Sequence, residues 1–180
     1  NTELSSQFMT HLSTSVYLAL LLASPFILAE ALRFITPALY ENERKYPARI
    51  TITIFALFAT GILMSYFVIF PFSIRFLGTY QVSSEVVNMI NLSSYISTFT
   101  TLTFLMGIVF QIPVISFFLA KMGILQAEFM AKYRRHALIL ILIIAAVITP
   151  PDVFTLILVT MPMYALYEVS ILIVKRITNN

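Results

Sequence analysis

Few residues of this chain can do chemistry, and the most informative group lies after the first apolar stretch. Glu41 and Glu43 directly follow the apolar and aromatic segment from Phe34 to Tyr40, just before a run of basic residues. A carboxylate at such a boundary can accept two parallel hydrogen bonds from an arginine guanidinium. The segment therefore offers a site for an arginine-bearing ligand. The alternative is a solvated loop in which the acidic residues balance the neighbouring basic ones.

Two further polar residues lie inside apolar sequence, where they are costly and are functional candidates by default. Gln111 is followed closely by Pro113, which removes a backbone donor and kinks a helix. Gln111 can bond to the carbonyl that this kink frees, or across to another helix. Glu168 is either protonated or bonded to a neighbouring helix. The alternative for both residues is helix packing without a direct functional role.

A turn with two prolines separates the last two apolar stretches. Asp152 follows Pro150 and Pro151 and directly precedes a long apolar run. Aspartate is favoured at helix N-termini because its side chain accepts a hydrogen bond from the first turn. These three residues are predicted to be structural, with Asp152 as the helix cap.

Composition places these residues in a membrane. Hydrophobic residues make up 59% of the 180 residues and charged residues 11%, whereas soluble domains carry about 25% charged residues. We predict an all-α polytopic membrane protein of one domain, with spans over 12–32, 50–70, 92–120, 137–149 and 153–174. The fourth span is short of the roughly 20 residues that a crossing needs. We count it as a span because the loops on either side of it must lie on opposite faces of the membrane.

The basic residues give the orientation. With five spans, ten of the eleven lysines and arginines share one face and only Arg75 lies on the other. The positive-inside rule makes that face cytoplasmic, with loops 33–49 and 121–136 and the chain end inside. Residues 71–91 are predicted to form an outer cap, with Pro71 ending the second span. Gly123 is predicted to close the third helix.

Catalytic motifs are missing from the sequence. It contains no cysteine, no phosphate-binding glycine-rich loop and no zinc-protease motif. The two histidines, His11 and His136, are predicted near opposite membrane faces, so they cannot share a metal. The chain is therefore predicted not to be an enzyme and to carry no metal or cofactor.

Several motifs in order resemble the TatC family, the multispanning receptor subunit of the twin-arginine protein translocase. The resemblance runs from about residue 6 to residue 176. It is carried by the motifs ASPFIL at 23–28, RFITPALY at 33–40, FVIFP at 67–71, GIVFQIPV at 107–114, TPPDVF at 149–154 and LYE at 166–168.

The resemblance implies a fold and a function. The family has six helices with both termini in the cytoplasm and its last two helices short, so this chain is expected to hold helices two to six of a longer protein, with the last two short. Its expected role is to receive the signal peptides of folded proteins that are exported using the proton-motive force. Glu43 matches the family's arginine-binding acidic residue, within apolar surroundings formed by Phe34, Pro37, Leu39 and Tyr40.

The resemblance also implies partners and a location. These are the single-span subunits TatA and TatB, further copies in a larger complex, and a bacterial inner membrane or an organellar one; no nucleic acid is expected. Gln111 stands where the family commonly has glutamate. An amide cannot ionise, so a role that needs a buried charge is not expected here, whereas a hydrogen-bonding role toward the partner subunits remains. The alternatives are a fragment of a small-solute transporter, with Gln111 and Glu168 along its pathway, and a structural scaffold.

Overall fold

A computed structural model of the chain describes residues 6–35, 46–79 and 91–178, and in these ranges every regular element is helical. The all-α prediction is therefore confirmed for the described residues. In chain order the elements are α1 (Ser6–Ile35), α2 (Tyr46–Met64), a π-helical turn (Ser65–Ile69), α3 (Phe70–Thr79), α4 (Leu92–Val109), α5 (Ile112–Lys121), α6 (Ala127–Lys132), α7 (Arg134–Ile148) and α8 (Val153–Thr178).

Within these described ranges, four helical stretches are long and apolar enough to cross a membrane. They have 25 to 31 residues each: Gln7–Ala31, Arg49–Thr79, Leu92–Lys121 and Val153–Thr178. Helix α7 has 15 residues and is about 22 Å long, which is shorter than a typical crossing. The expectation that the last helix is also short is wrong, because α8 has 26 residues. The chain is thus a multi-pass membrane protein.

The sequence predicted that the second span ends at Pro71. In the structure, the helix does not end there. Helix α3 continues directly from the π turn through Pro71 to Thr79. A proline inside a regular α-helix collides with the carbonyl four residues earlier. Here the preceding turn is wider, because the Phe70 N–H donates to the carbonyl of Ser65, five residues earlier. The π turn therefore accommodates the proline and lets the helix continue.

The helix of the third span is interrupted at one point and ends at a glycine. Helix α4 ends at Val109 and α5 begins at Ile112, with Pro113 in its first turn, so the predicted interruption near Pro113 is present. At the other end of α5, Gly123 has φ +73°. The N–H groups of Gly123 and Ile124 donate to the carbonyls of Ala120 and Leu119, at 2.9 and 3.0 Å. This is a Schellman motif, and it confirms that Gly123 closes the helix.

Helices α2 and α4 cross at a point where neither has a side chain. A Cβ atom on Gly61 would lie 2.6 Å from the carbonyl oxygen of Met106, and one on Gly107 would lie 2.6 Å from the ring of Phe58. Small residues allow membrane helices to approach closely and gain packing where the hydrophobic effect gives none. The main buried cluster forms around this crossing and includes Leu102 and Met106, both fully buried.

This crossing gives a prediction about stability. We expect Gly61→Ala to lower the free energy of unfolding by about 1–3 kcal/mol, because the new methyl group meets rigid backbone. Gly107→Ala is expected to cost less, since it meets a side chain, and part of its cost should disappear in combination with Phe58→Leu. Denaturant titration in detergent micelles measures both changes. Gly78→Ala in the exposed part of α3 is the matched control. A loss in this control as large as that in Gly61→Ala would contradict the packing explanation.

Candidate functional site

The structure describes only the borders of the predicted arginine-binding segment. Glu43, Pro37, Leu39 and Tyr40 lie outside the described residues. Phe34 lies in the last turn of α1 and is 87% exposed. A phenylalanine this exposed at the end of a membrane helix offers apolar surface to a ligand or to lipid.

One acidic residue near this border was not identified from the sequence. Glu30 is exposed and lies four residues before Phe34 on α1, so the two side chains share one face of the helix. The signal was available, because Glu30 is the first carboxylate after the long apolar run of α1. An acidic group and an aromatic ring therefore stand together at this end of the helix.

A cleft opens between α2, α5 and α8. Its volume is about 260 Å³, and apart from Arg49 and Thr53 its walls are apolar: Ile50, Leu57, Pro113, Val114, Phe117 and Ile173. Arg49 lies in the first turn of α2, just after the predicted ligand-binding segment. Pro113 thus forms part of the cleft wall in addition to interrupting the helix. The cleft has the chemistry to hold an apolar side chain or an extended apolar segment.

Gln111 is 1% exposed and bonds to another helix of its own chain. Its Nε2 donates to the backbone carbonyl of Ile54 in α2, at 3.2 Å. The sequence left two partners open for this side chain, the carbonyl freed by the kink in its own helix and a group on another helix. The structure has the second. The Oε1 atom is buried without a hydrogen-bond partner. The geometry does not support the direct contact with partner subunits that the resemblance implied, because the amide is enclosed by the chain itself.

Glu168 is also bonded to another helix. The Arg134 guanidinium donates through Nη2 to Oε2 at 2.9 Å, and its Nε lies 2.9 Å from Oε1. The hydroxyl of Tyr164 donates to Oε1 at 3.1 Å. This two-point contact is the strong geometry of arginine with a carboxylate, and it joins the start of α7 to α8. Arg134 was taken from the sequence only as a basic loop residue. The sequence offers no signal for this pairing, because 34 positions separate the two residues.

At the turn with two prolines, the predicted cap is present. The Thr155 N–H donates to Oδ1 of Asp152 at 2.6 Å. The other carboxylate oxygen of Asp152 and the hydroxyl of Thr155 are buried without partners. Asp152 therefore starts α8, just after Pro150 and Pro151.

The predicted residues that lie in the described ranges do not form one site. Four of them each bond to or face a different neighbour: Phe34, Gln111, Glu168 and Asp152. Gln111 and Glu168 have no bonding partner in common. Among the described residues, no group of three or more acidic, histidine or cysteine side chains is arranged to hold a metal. The arrangement is suited to binding a peptide or lipid along its helices.

Comparison with known proteins gives consistent results. The family model "Sec-independent protein translocase protein (TatC)" matches residues 1–162. A TatC of Blattabacterium is 39% identical over 96% of this chain and 65% of its own length. A TatC of Carboxydothermus hydrogenoformans is 39% identical over 97% of this chain and 72% of its own. TatCy of Bacillus subtilis is 39% identical over 88% and 62%. The chain thus spans 62–72% of the length of these relatives.

A solved structure agrees. The crystal structure described as "Twin Arginine Translocase Receptor- TatC" superposes with a TM-score of 0.86 at 30% identity, covering 99% of this chain and 78% of that one. The family is named for protein translocation and not for a chemical reaction, in agreement with the prediction that this chain is not an enzyme. The motifs, the fold and these comparisons establish that the chain belongs to the TatC family.

Proposed function

We propose that this chain is the signal-peptide-binding core of a twin-arginine translocase, which exports folded proteins using the proton-motive force. The observation that carries the proposal is the superposition on a TatC receptor structure over 99% of the chain. The names of its relatives support the same role. The chain supplies binding surfaces and a membrane path, while the energy comes from the gradient.

The membrane arrangement that we propose has five crossings, with α7 as the fourth. Support comes from the side chains of this helix. Ile139, Ile143 and Val147 are 57%, 57% and 83% exposed and follow one another at intervals of four residues. Ile141 and Ala145 are buried on the other face. A helix with a buried stripe and an exposed apolar stripe is suited to pack on α8 and face lipid. Local thinning of the bilayer accommodates its length.

The orientation that we propose puts the end of α8 in the cytoplasm of a bacterium, with the chain in the inner membrane. Ten of the eleven basic residues then lie inside, as the positive-inside rule requires. Lys175 and Arg176 in the last turn of α8 also complement the negative end of the helix dipole. This face is where a signal peptide arrives from the cytoplasm.

The binding site that we propose has a charged part and an apolar part. Glu43 accepts the guanidinium of a signal arginine, with Pro37, Leu39 and Tyr40 around it. Exposed Phe34 and the cleft beside Arg49 then take the apolar segment that follows the arginines in the signal. Support comes from the order of these residues along the chain. The first residue of the cleft, Arg49, lies four residues after the basic residues that end the proposed arginine-binding segment.

The proposed partners are TatA, TatB and further copies of the chain. Exposed apolar side chains on α7 and α8 provide surface for single-span helices, including Leu140 at 58%, Met161 at 67% and Leu172 at 63%. Glu168 is proposed to act indirectly, by holding α7 against α8 through Arg134. A solute transporter is less well supported, since Gln111 and Glu168 are bonded to different helices and line no common cavity among the described residues.

One prediction about function concerns Glu43. A twin-arginine signal peptide with a photo-crosslinker beside its arginines is expected to label the chain in membrane vesicles. Glu43→Gln should reduce labelling about tenfold or more, because a hydrogen bond to a charged group contributes about 1.5–3 kcal/mol. A peptide with two lysines should label weakly, since lysine lacks the two-point geometry.

Glu41→Gln, two residues away in the same segment, is the matched control and should keep labelling within about twofold. Equal labelling of the parent chain, Glu43→Gln and the lysine peptide would overturn the receptor assignment. Loss of labelling in Glu41→Gln alone would move the site to that residue.

A further prediction separates folding from transport at Gln111. Gln111→Leu removes one interhelical hydrogen bond but also removes a buried acceptor without a partner, so stability should change by less than about 1 kcal/mol. Gln111→Glu should destabilise the chain more, because a carboxylate would face the carbonyl oxygen of Ile54. Thermal unfolding in detergent measures both. Normal stability of Gln111→Leu together with loss of TatA and TatB co-purification would contradict a purely structural role.

A further inference from the structure

A second cavity lies at the other end of the α2–α4 pair, far along the chain from the proposed signal-peptide site. It has a volume of about 550 Å³ and is an open crevice between the π turn with α3 on one side and α4 on the other. Its walls are mainly aromatic, formed by Tyr66, Phe67, Phe70, Tyr95 and Phe99, with Arg75 at one end. We refer to it as the aromatic crevice.

The walls of the aromatic crevice hold one another in place. The ring of Phe70 meets those of Tyr95 and Phe99 edge to face, with centroids 5.0 and 4.9 Å apart. Tyr66 meets Phe99 at 5.9 Å and Phe67 at 4.9 Å in the same manner. Such pairs are attractive beyond their buried area and fix ring orientation. The crevice is therefore a formed groove.

The aromatic crevice is open at the surface of the helices. Phe67 is 66% exposed, Tyr66 52% and Tyr95 40%. The π turn contributes to this, since its wider winding lets the adjacent residues Tyr66 and Phe67 both reach the crevice. Apolar surface of this kind in a membrane protein is covered by lipid chains or by another helix.

Arg75 gives one end of the crevice a charge. It is exposed in α3, and no carboxylate among the described residues lies within ion-pair distance of it. It is also the one basic residue that falls on the opposite face from the other ten in the proposed orientation. An arginine in that position attracts an anion, and its planar fork of donors matches a phosphate group.

The dimensions agree with a lipid. Arg75 and Tyr66 are nine residues apart on continuous helix, so the crevice runs about 13 Å from its charged end to its deep end. One leaflet of the hydrocarbon core is about 15 Å thick, half of about 30 Å. A phospholipid with its phosphate at Arg75 therefore has room for an acyl chain along the aromatic wall.

We propose that the aromatic crevice binds an acidic phospholipid of the outer leaflet, with its phosphate on Arg75 and one acyl chain along Tyr66, Phe70 and Phe99. The leaflet follows from the orientation proposed above, whereas the site itself depends only on the crevice and its charge. A partner helix is a poorer occupant, because its apolar face would leave Arg75 without an anion.

The chain contains no tryptophan, so a single one reports on the crevice. Phe67→Trp places it on the exposed wall. The full 180-residue chain is reconstituted in phosphatidylcholine bilayers that contain brominated phosphatidylglycerol or brominated phosphatidylcholine, and quenching gives the relative association of the two lipids. We expect a preference of about fivefold for phosphatidylglycerol, the ratio that one cationic side chain gives at a membrane surface.

Variants in the Phe67→Trp background identify the source of the preference. Arg75→Gln should bring it close to one, while Arg75→Lys should retain most of it. Arg176→Gln, which removes an exposed arginine from the last turn of α8 and lies outside both proposed sites, is the matched control and should leave it unchanged. Circular dichroism and elution volume establish that each variant is folded.

Three results would overturn the proposal. One is equal quenching by the two lipids in the parent reporter chain. Another is a preference that survives Arg75→Gln or that falls equally in Arg176→Gln, which would indicate a general effect of protein charge. The third is a reporter that no brominated lipid quenches, which would show that another helix occupies the aromatic crevice.

Discussion

The close crossing of α2 and α4 is the contact on which the rest of the described structure depends. Because Gly61 and Gly107 have no Cβ, the two backbones approach until a methyl group on Gly61 would reach the Met106 carbonyl. In a bilayer, helices gain little from excluding water from each other, so association relies on close packing and hydrogen bonds. The glycine crossing provides the close packing and fixes the register of the antiparallel pair.

The pairs of residues along this interface follow from that register. Toward the N-terminus of α2, Gln111 bonds to the carbonyl of Ile54. At the crossing itself, the ring of Phe58 lies against Gly107. Farther out, the hydroxyls of Ser65 and Thr103 are 3.3 Å apart. Beyond them the π turn and α3 face α4 across the aromatic crevice. One interface thus runs from a buried amide at one end to an open aromatic groove at the other.

Most polar side chains in these helices are satisfied locally, which makes the exceptions informative. Ser73, Thr100, Thr160 and Ser170 donate to the carbonyl four residues earlier in their own helices. Such bonds remove the cost of a hydroxyl in lipid without joining helices. Gln111 and Glu168 instead bond between helices, and they do so at the two places where a span is interrupted or short. Their bonds join helices beside the interruption at Pro113 and at the start of the short helix α7.

The sequence by itself determined the membrane class, the glycine closure at Gly123, the cap at Asp152, the interruption at Pro113 and the family. These depend on composition, on local backbone geometry and on motifs read in order. The tertiary structure decided which partner each polar residue has. Arg134 meets Glu168 across 34 positions and Gln111 meets Ile54 across 57, and no periodicity specifies which helix faces which. It also decided that a π turn carries α3 past Pro71 and that two glycines form the crossing. Those outcomes depend on how closely helices approach, which is set by packing in three dimensions.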